Sequence, residues 1–249
     1  TALMIDSASR TWIGTRDGRV YILKTGKLDS LITGKTPVTE RITAFLQKNG
    51  TTFIGTYGNG IVCLLPDTVF NITTNEGLSD NVIYTLTAEK DGPLWCGTDA
   101  GISSVELKNG KPDIRVIASR DGLPDNIVRT LYAQNGKLTV TMQDSGICYY
   151  EPKTNTFSRA PFFSFWTLGP VLKARTLGNS FFIATETNGI IQITNGSLGV
   201  YRYEELGLQR INSVFFDDAH QLWLASPKGL TRFSEKRVKL IGPQDGLMD

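Results

Sequence analysis

Few residues of this chain are equipped for covalent or metal chemistry. There is one histidine, His220, and three cysteines, Cys63, Cys96 and Cys148. A thiol nucleophile needs a base beside it, and only His220 could serve. That residue lies in Asp217-Asp218-Ala219-His220-Gln221, which reads as a turn before a strand. Zinc sites draw on several Cys and His at short spacing, and no Cys-x-x-Cys pair exists, so neither a metal nor a cofactor is expected. Each cysteine sits in an apolar run, as in Ile61-Val62-Cys63-Leu64, and is expected as a buried, reduced thiol. Glycoside hydrolysis needs two facing carboxylates, and no Asp or Glu column is doubled to make a pair. Gly58-Asn59-Gly60 is followed by neither Lys-Ser/Thr nor a helix, so it is no phosphate loop. No catalytic residue is therefore expected. What remains is polar recognition. Arg16, Tyr57, Asp99, Asp144 and Glu186 occupy turns, and Arg41, Tyr84, Arg129 and Lys173 lie near the starts of strands. Arg, Tyr and Lys gathered round one mouth could clamp a carboxylated or sulfated sugar through charge-assisted hydrogen bonds. Arg41, Tyr84 and Arg129 rank first among them.

The elements that must position these residues are announced by a repeat. A large apolar residue, any residue, a small residue and then a Gly recur six times. The clearest copies are Trp12-Ile13-Gly14-Thr15-Arg16-Asp17-Gly18, Phe53-Ile54-Gly55-Thr56-Tyr57-Gly58-Asn59-Gly60 and Trp95-Cys96-Gly97-Thr98-Asp99-Ala100-Gly101. Looser copies close on Gly146, Gly189 and Gly229, and the six closing glycines are spaced 42, 41, 45, 43 and 40 residues apart. A second element keeps the same phase. Gly77-Leu78-Ser79-Asp80-Asn81, Gly122-Leu123-Pro124-Asp125-Asn126 and Gly207-Leu208-Gln209-Arg210-Ile211-Asn212 precede copies three, four and six, and Gly246-Leu247-Met248-Asp249 ends the chain.

Each repeat reads as four short strands. In the third, Val82 to Ala88, Leu94 to Gly97, Ile102 to Leu107 and Ile114 to Ala118 are β-prone runs between Gly, Asn, Asp and Pro. No segment keeps a 3.6-residue apolar period over three turns, so helix should be almost absent. Four strands in about 40–45 residues is the grammar of a β-propeller blade. The expected fold is all-β, a propeller of four-stranded antiparallel blades. It is read as a single domain over 1–249 with repeats at about 1–38, 39–80, 81–125, 126–168, 169–211 and 212–249. Six repeats could close alone or belong to a seven-bladed or tandem propeller. The aromatic column is read as inter-blade packing, the Gly14, Gly55, Gly97, Ala184 and Ala225 column as close strand approach, and the closing glycines as suppliers of positive φ.

Charge narrows the partners. Lys and Arg number 26 against 24 Asp and Glu, a net charge of +2, which is no footprint for nucleic acid. No apolar run approaches 18 residues, so no direct membrane insertion is expected. Thr1 is not a start Met, and the segment is expected to be a processed or excised piece of something longer.

Trp-Ile-Gly-Thr-x-x-Gly together with Gly-Leu-Pro-x-Asn resembles the two-component regulator propeller repeats of periplasmic sensor regions in bacterial histidine kinases and hybrid two-component systems, notably of Bacteroidetes. The resemblance is tightest over Phe70 to Tyr150. It implies an extracytoplasmic, periplasmic sensor propeller of an inner-membrane receptor, with an oligosaccharide ligand in many members, further receptor domains, and a receptor dimer partner. It carries over no catalytic or binding residue. Two other readings stay open: a propeller scaffold for protein–protein contacts, and a propeller lyase or glycosidase. The last lacks the S-x-D-x-G-x-x-W box, and a lyase similar to the streptogramin-cleaving propellers would want more than one His.

Overall fold

The computed structural model describes residues 2–31, 40–159, 171–177, 180–194, 197–216, 221–234 and 237–241. Among these residues the only helical turn is a 3₁₀ turn at Ser119–Asp121. Everything else regular is strand, in six four-stranded antiparallel sheets of propeller-blade type. The first blade comprises β1 (Ala2–Ile5), β2 (Thr11–Gly14), β3 (Val20–Lys24) and β4 (Lys27–Leu31). The second holds β5 (Ile42–Lys48), β6 (Thr51–Thr56), β7 (Ile61–Leu64) and β8 (Val69–Ile72). The third holds β9 (Ile83–Ala88), β10 (Leu94–Thr98), β11 (Gly101–Lys108) and β12 (Lys111–Ile117). The fourth is β13 (Val128–Gln134), β14 (Lys137–Met142), β15 (Ile147–Glu151) and β16 (Thr156–Arg159). The fifth is β17 (Val171–Leu177), β18 (Ser180–Thr185), β19 (Ile190–Thr194) and β20 (Ser197–Tyr201). The sixth is β21 (Ser213–Phe216), β22 (Leu222–Ser226), β23 (Gly229–Ser234) and β24 (Arg237–Ile241). Strands follow chain order within every sheet. The chain groups into two compact units, Thr1–Val140 with Tyr149–Phe157, and Thr141–Cys148 with Ser158–Asp249.

In the first unit, the small column does the work expected of it. The second strand of each blade runs against the first strand of the next. A Cβ at Gly97 would lie 2.7 Å from Val128 Cγ1 and 2.9 Å from the Val128 carbonyl oxygen. Gly14 and Gly55 face Ile42 and Ile83 in the same way, and Ile42, Ile83 and Val128 are fully buried. The aromatic column packs beside it: Trp12, Phe53 and Trp95 are buried, Phe53 in one cluster with Cys63, Leu94 and Cys96. In the second unit Phe182 and Ala184 fill these roles against Val214, Leu222 and Leu224, while Trp223 is half-buried.

The turns divide by type. Asn49-Gly50, Asn109-Gly110 and Asn135-Gly136 all have positive φ at both residues, which makes tight two-residue hairpins whose twist suits the strands. One consequence corrects the sequence reading, which started the fourth strand of the third repeat at Ile114. Lys108 to Pro112 does not form a loop, because Asn109-Gly110 turns the chain at once and β12 starts at Lys111. Pro112 is accommodated because β12 is an edge strand, where a missing N–H goes unmissed.

The Gly-Leu junction is a local lock. Leu78, Leu123 and Leu208 are buried. The Asn81 side chain accepts from the Thr74 N–H and the Asn126 side chain from the Ser119 N–H, each at 2.9 Å. The Asn81 carbonyl accepts from Gly58 N–H (3.1 Å) and Gly60 N–H (2.9 Å), and the Asn126 carbonyl from Gly101 N–H (2.8 Å). Each junction thereby grips the turn that closes the blade before it.

All three cysteines are buried and outside any disulfide, with Cys96 in a second strand and Cys63 and Cys148 in third strands. Burial pushes the Cys63 and Cys96 thiols up to about 12. The thiolate is the reactive species, so the native chain should show no fast reaction with a disulfide reagent at pH 8, and three equivalents once denaturant is added. A fast native equivalent would contradict the burial. His220 and Gly246 to Asp249 lie outside the described residues.

Candidate functional site

The strand 2–3 turns of the second and third blades share one construction, which Thr185 and Gly189 repeat in the fifth. A threonine hydroxyl ends the second strand and bonds the carbonyl of the closing glycine, as Thr56 to Gly60 (2.8 Å) and Thr98 to Gly101 (2.9 Å). The same hydroxyl accepts a turn N–H, from Asn59 and from Ala100. The residue after the threonine is thereby carried at a fixed place in the turn. In successive repeats of the first unit that residue is Arg16, Tyr57 and Asp99. These turns lie at the same end of the blades as the junctions, because the junction carbonyls hold them.

The first strands add a device that the sequence does not advertise. The pairing of β9 with β10 shifts register so that Thr85 opposes Gly97 and Ile83 opposes Thr98, leaving Tyr84 as the extra residue of a bulge. Thr43 in β5 and Leu172 in β17 occupy the equivalent bulge positions. A bulge breaks the two-residue alternation and re-aims one side chain. In the third blade it re-aims Tyr84 toward the turn of its own blade, where its hydroxyl donates to Asp99 Oδ1 at 2.8 Å.

Four more of the candidate residues come together around Tyr84. The Arg129 guanidinium carbon sits 4.2 Å from the Tyr84 ring centroid, within cation–π range. Tyr57 meets Tyr84 edge to face, with centroids 6.1 Å apart and planes at 73°. The Arg41 guanidinium carbon lies 5.6 Å from the Tyr57 centroid. Tyr57 is further fixed by its backbone, which donates to the Arg41 carbonyl at 2.9 Å and bridges to Val82. The result is a ladder, Arg41–Tyr57–Tyr84–Arg129, with Asp99 beside its inner rung. Tyr57 is 43% exposed and Arg41 is exposed, whereas Tyr84, Asp99 and Arg129 are half-buried. Burial, then the Asp99 bond, push the Tyr84 phenol up, against the lowering influence of Arg129. Tyr84 thus stays a neutral donor to Asp99.

The other nominated residues fall elsewhere. Arg16 is exposed on the first blade's turn. Asp144 and Glu186 are exposed on turns of the second unit. Lys173 lies in β17 opposite Ala184, one place beyond the bulge. Among the described residues no cluster of three His, Cys, Asp or Glu could hold a metal, and no helix is long and apolar enough to cross a membrane.

No protein-family model and no curated protein matches the sequence. Solved structures do. The extracellular domain of the one-component system BT4673 of B. thetaiotaomicron superposes with a TM-score of 0.76 at 16% identity, over 96% of this chain and 35% of that one. The extracellular domain of the hybrid two-component system BT3049 of the same organism gives 0.64 at 14% identity, over 92% and 39%. The WD40 β-propeller domain of Doa1 gives 0.71 at 15%, over 94% and 78%. These likenesses establish the propeller fold. The chain spans little more than a third of these two extracellular domains.

Proposed function

We propose that this chain is a ligand-sensing propeller module of a two-component signalling receptor, working on the periplasmic side and detecting an oligosaccharide through the Arg41–Tyr57–Tyr84–Arg129 ladder. The observation that carries the reading is the ladder itself: aromatic and guanidinium groups, Tyr57 and Arg41 exposed and Tyr84 and Arg129 half-buried, held by bulge, turn and junction at one end of the blades. Loops on a rigid scaffold are where recognition tends to sit, and an amphipathic ring flanked by donors suits a hydroxylated ligand. The fold shared with extracellular domains of BT4673 and BT3049 supports the receptor context. The remaining receptor domains and a second receptor copy are the proposed partners. Catalysis is not part of the proposal, since the ladder's one carboxylate, Asp99, is engaged by a phenol rather than facing a second acid.

Thermal shift against an oligosaccharide panel tests it. A ligand at a hundred times its Kd adds about 2.7 kcal/mol, which for a chain of this size raises Tm by roughly 5–10 °C. At least one glycan should do so, and Tyr57→Ala should abolish the shift. A chain that no glycan stabilises, but that a protein partner does, would be a scaffold instead.

A further inference from the structure

The ladder is not symmetric, and its asymmetry carries a statement about the ligand. At one end Arg41 and Tyr57 are both exposed, with the Arg41 guanidinium 5.6 Å from the Tyr57 ring centroid. At the other end the Arg129 charge lies over Tyr84, beside the Asp99 carboxylate that Tyr84 engages. Asp99 Oδ1 is taken by Tyr84, while Oδ2 has no hydrogen-bond partner among the described residues. A ligand therefore meets an exposed cation at one end and a carboxylate acceptor at the other, joined through the Tyr57 and Tyr84 rings, whose centroids are 6.1 Å apart. An acid group brought to the Asp99 end would face like charge, and a second cation at the Arg41 end would too. Only one orientation satisfies both ends.

Building on the sensor reading above, we infer that this ledge selects a hydroxylated ring acid, such as a uronic acid unit, and binds it in a fixed direction. Its carboxylate is on Arg41, its ring lies over Tyr57, and its hydroxyl donors face Asp99. Arg41 and Tyr57 touch the ligand, and Arg129 acts as a positioning residue through Tyr84. Asp99 sets specificity: it accepts from hydroxyls and repels ligands that are acidic at both ends.

The test is NMR titration of the 249-residue chain with D-glucuronate, its neutral methyl ester, D-glucose and inorganic sulfate, with folding of each variant checked by its Tm. Glucuronate should bind about tenfold more tightly than the ester or glucose, the size of one charge-assisted contact. Arg41→Ala should bring glucuronate down to the ester's level. Asp99→Asn should act in opposite directions on two ligands, weakening glucuronate a few-fold and strengthening sulfate, a crossover that a purely structural role for Asp99 would not produce. Equal affinity for acid and ester, no binding of glucuronate, or movement of both anions in one direction on Asp99→Asn would overturn the inference. A neutral oligosaccharide that binds and is released by Tyr57→Ala would sink the acid assignment and leave the sensor reading standing.

Discussion

Gly101→Ala should unfold the chain more readily than any substitution at an exposed position, by about 3 kcal/mol or more. Two penalties add at this residue. Its φ of 111° lies where L side chains are strained, a penalty of roughly 1–3 kcal/mol. A Cβ there would also overlap the Ile117 carbonyl oxygen, which belongs to backbone and cannot rotate away. Overpacking of that kind adds about 1–3 kcal/mol. The affected backbone is central to the third blade: Gly101 opens β11, pairs with Thr98, and donates its N–H to Asn126. Urea denaturation should show the midpoint falling, and a thermal scan should show Tm lower by on the order of 10 °C. A loss under 1 kcal/mol would mean that the turn relaxes at little expense. It would also take away the reason for glycine at this position in every repeat.

The second large effect is expected at Asp6, in the turn between β1 and β2. Its side chain is wholly buried and accepts four bonds, from the Ala8 and Arg10 N–H groups (2.9 Å each), Arg10 Nε (2.6 Å) and the Trp12 indole (2.8 Å). Burial alone would raise its pKa, but the Trp12 bond and the Arg10 and Ala8 bonds together bring it down to about 2. Asp6→Asn turns an acceptor toward these donors as an NH₂ group and should destabilise by about 2–3 kcal/mol at pH 7. The folded carboxyl titrates below its unfolded value of about 3.9. Its contribution is therefore present in full above about pH 4 and lost as pH falls through about 2. Stability of wild type and Asp6→Asn should converge over that window when unfolding is followed from pH 6 to pH 2. Parallel curves would show that the carboxylate's charge is not what the turn uses.

What the sequence made legible was whatever local stereochemistry demands of single residue types. A positive φ calls for glycine, so Gly18, Gly60, Gly101, Gly146, Gly189 and Gly229 could be read as turn closers, and all six have positive φ. Close strand approach excludes a Cβ, so Gly14, Gly55 and Gly97 could be read as a contact column. The Asp6 turn was not legible, because its acid is indistinguishable from any solvated Asp until Trp12 and Arg10 fold over it. The candidate site was half legible. Arg41, Tyr57, Tyr84, Asp99 and Arg129 stood out as polar, but so did Arg16, Lys173, Asp144 and Glu186. What drew the first five together was the register shift at Ile83–Thr85 and the turn geometry set by Thr56 and Thr98, and neither bulge nor register leaves a mark in composition. The Lys111–Pro112 strand start was missed for a related reason, since proline argues against a strand unless the strand is known to lie at an edge.

The hold that Asn81 and Asn126 exert on the preceding turns has a consequence for how such chains can grow. The fastening of a blade is encoded not in that blade but in the first residues of the segment after it. A duplicated stretch of gene running from one junction to the next would therefore arrive with the clasp for whatever stands before it, and with a socket open to whatever follows. Copies inserted in that frame could join an existing array without compensating changes on either side. Copies cut at the sheet boundaries would each lack a clasp. The near-constant interval between closing glycines, in a chain whose repeats otherwise diverge freely, is the pattern that modular copying in this frame would leave behind.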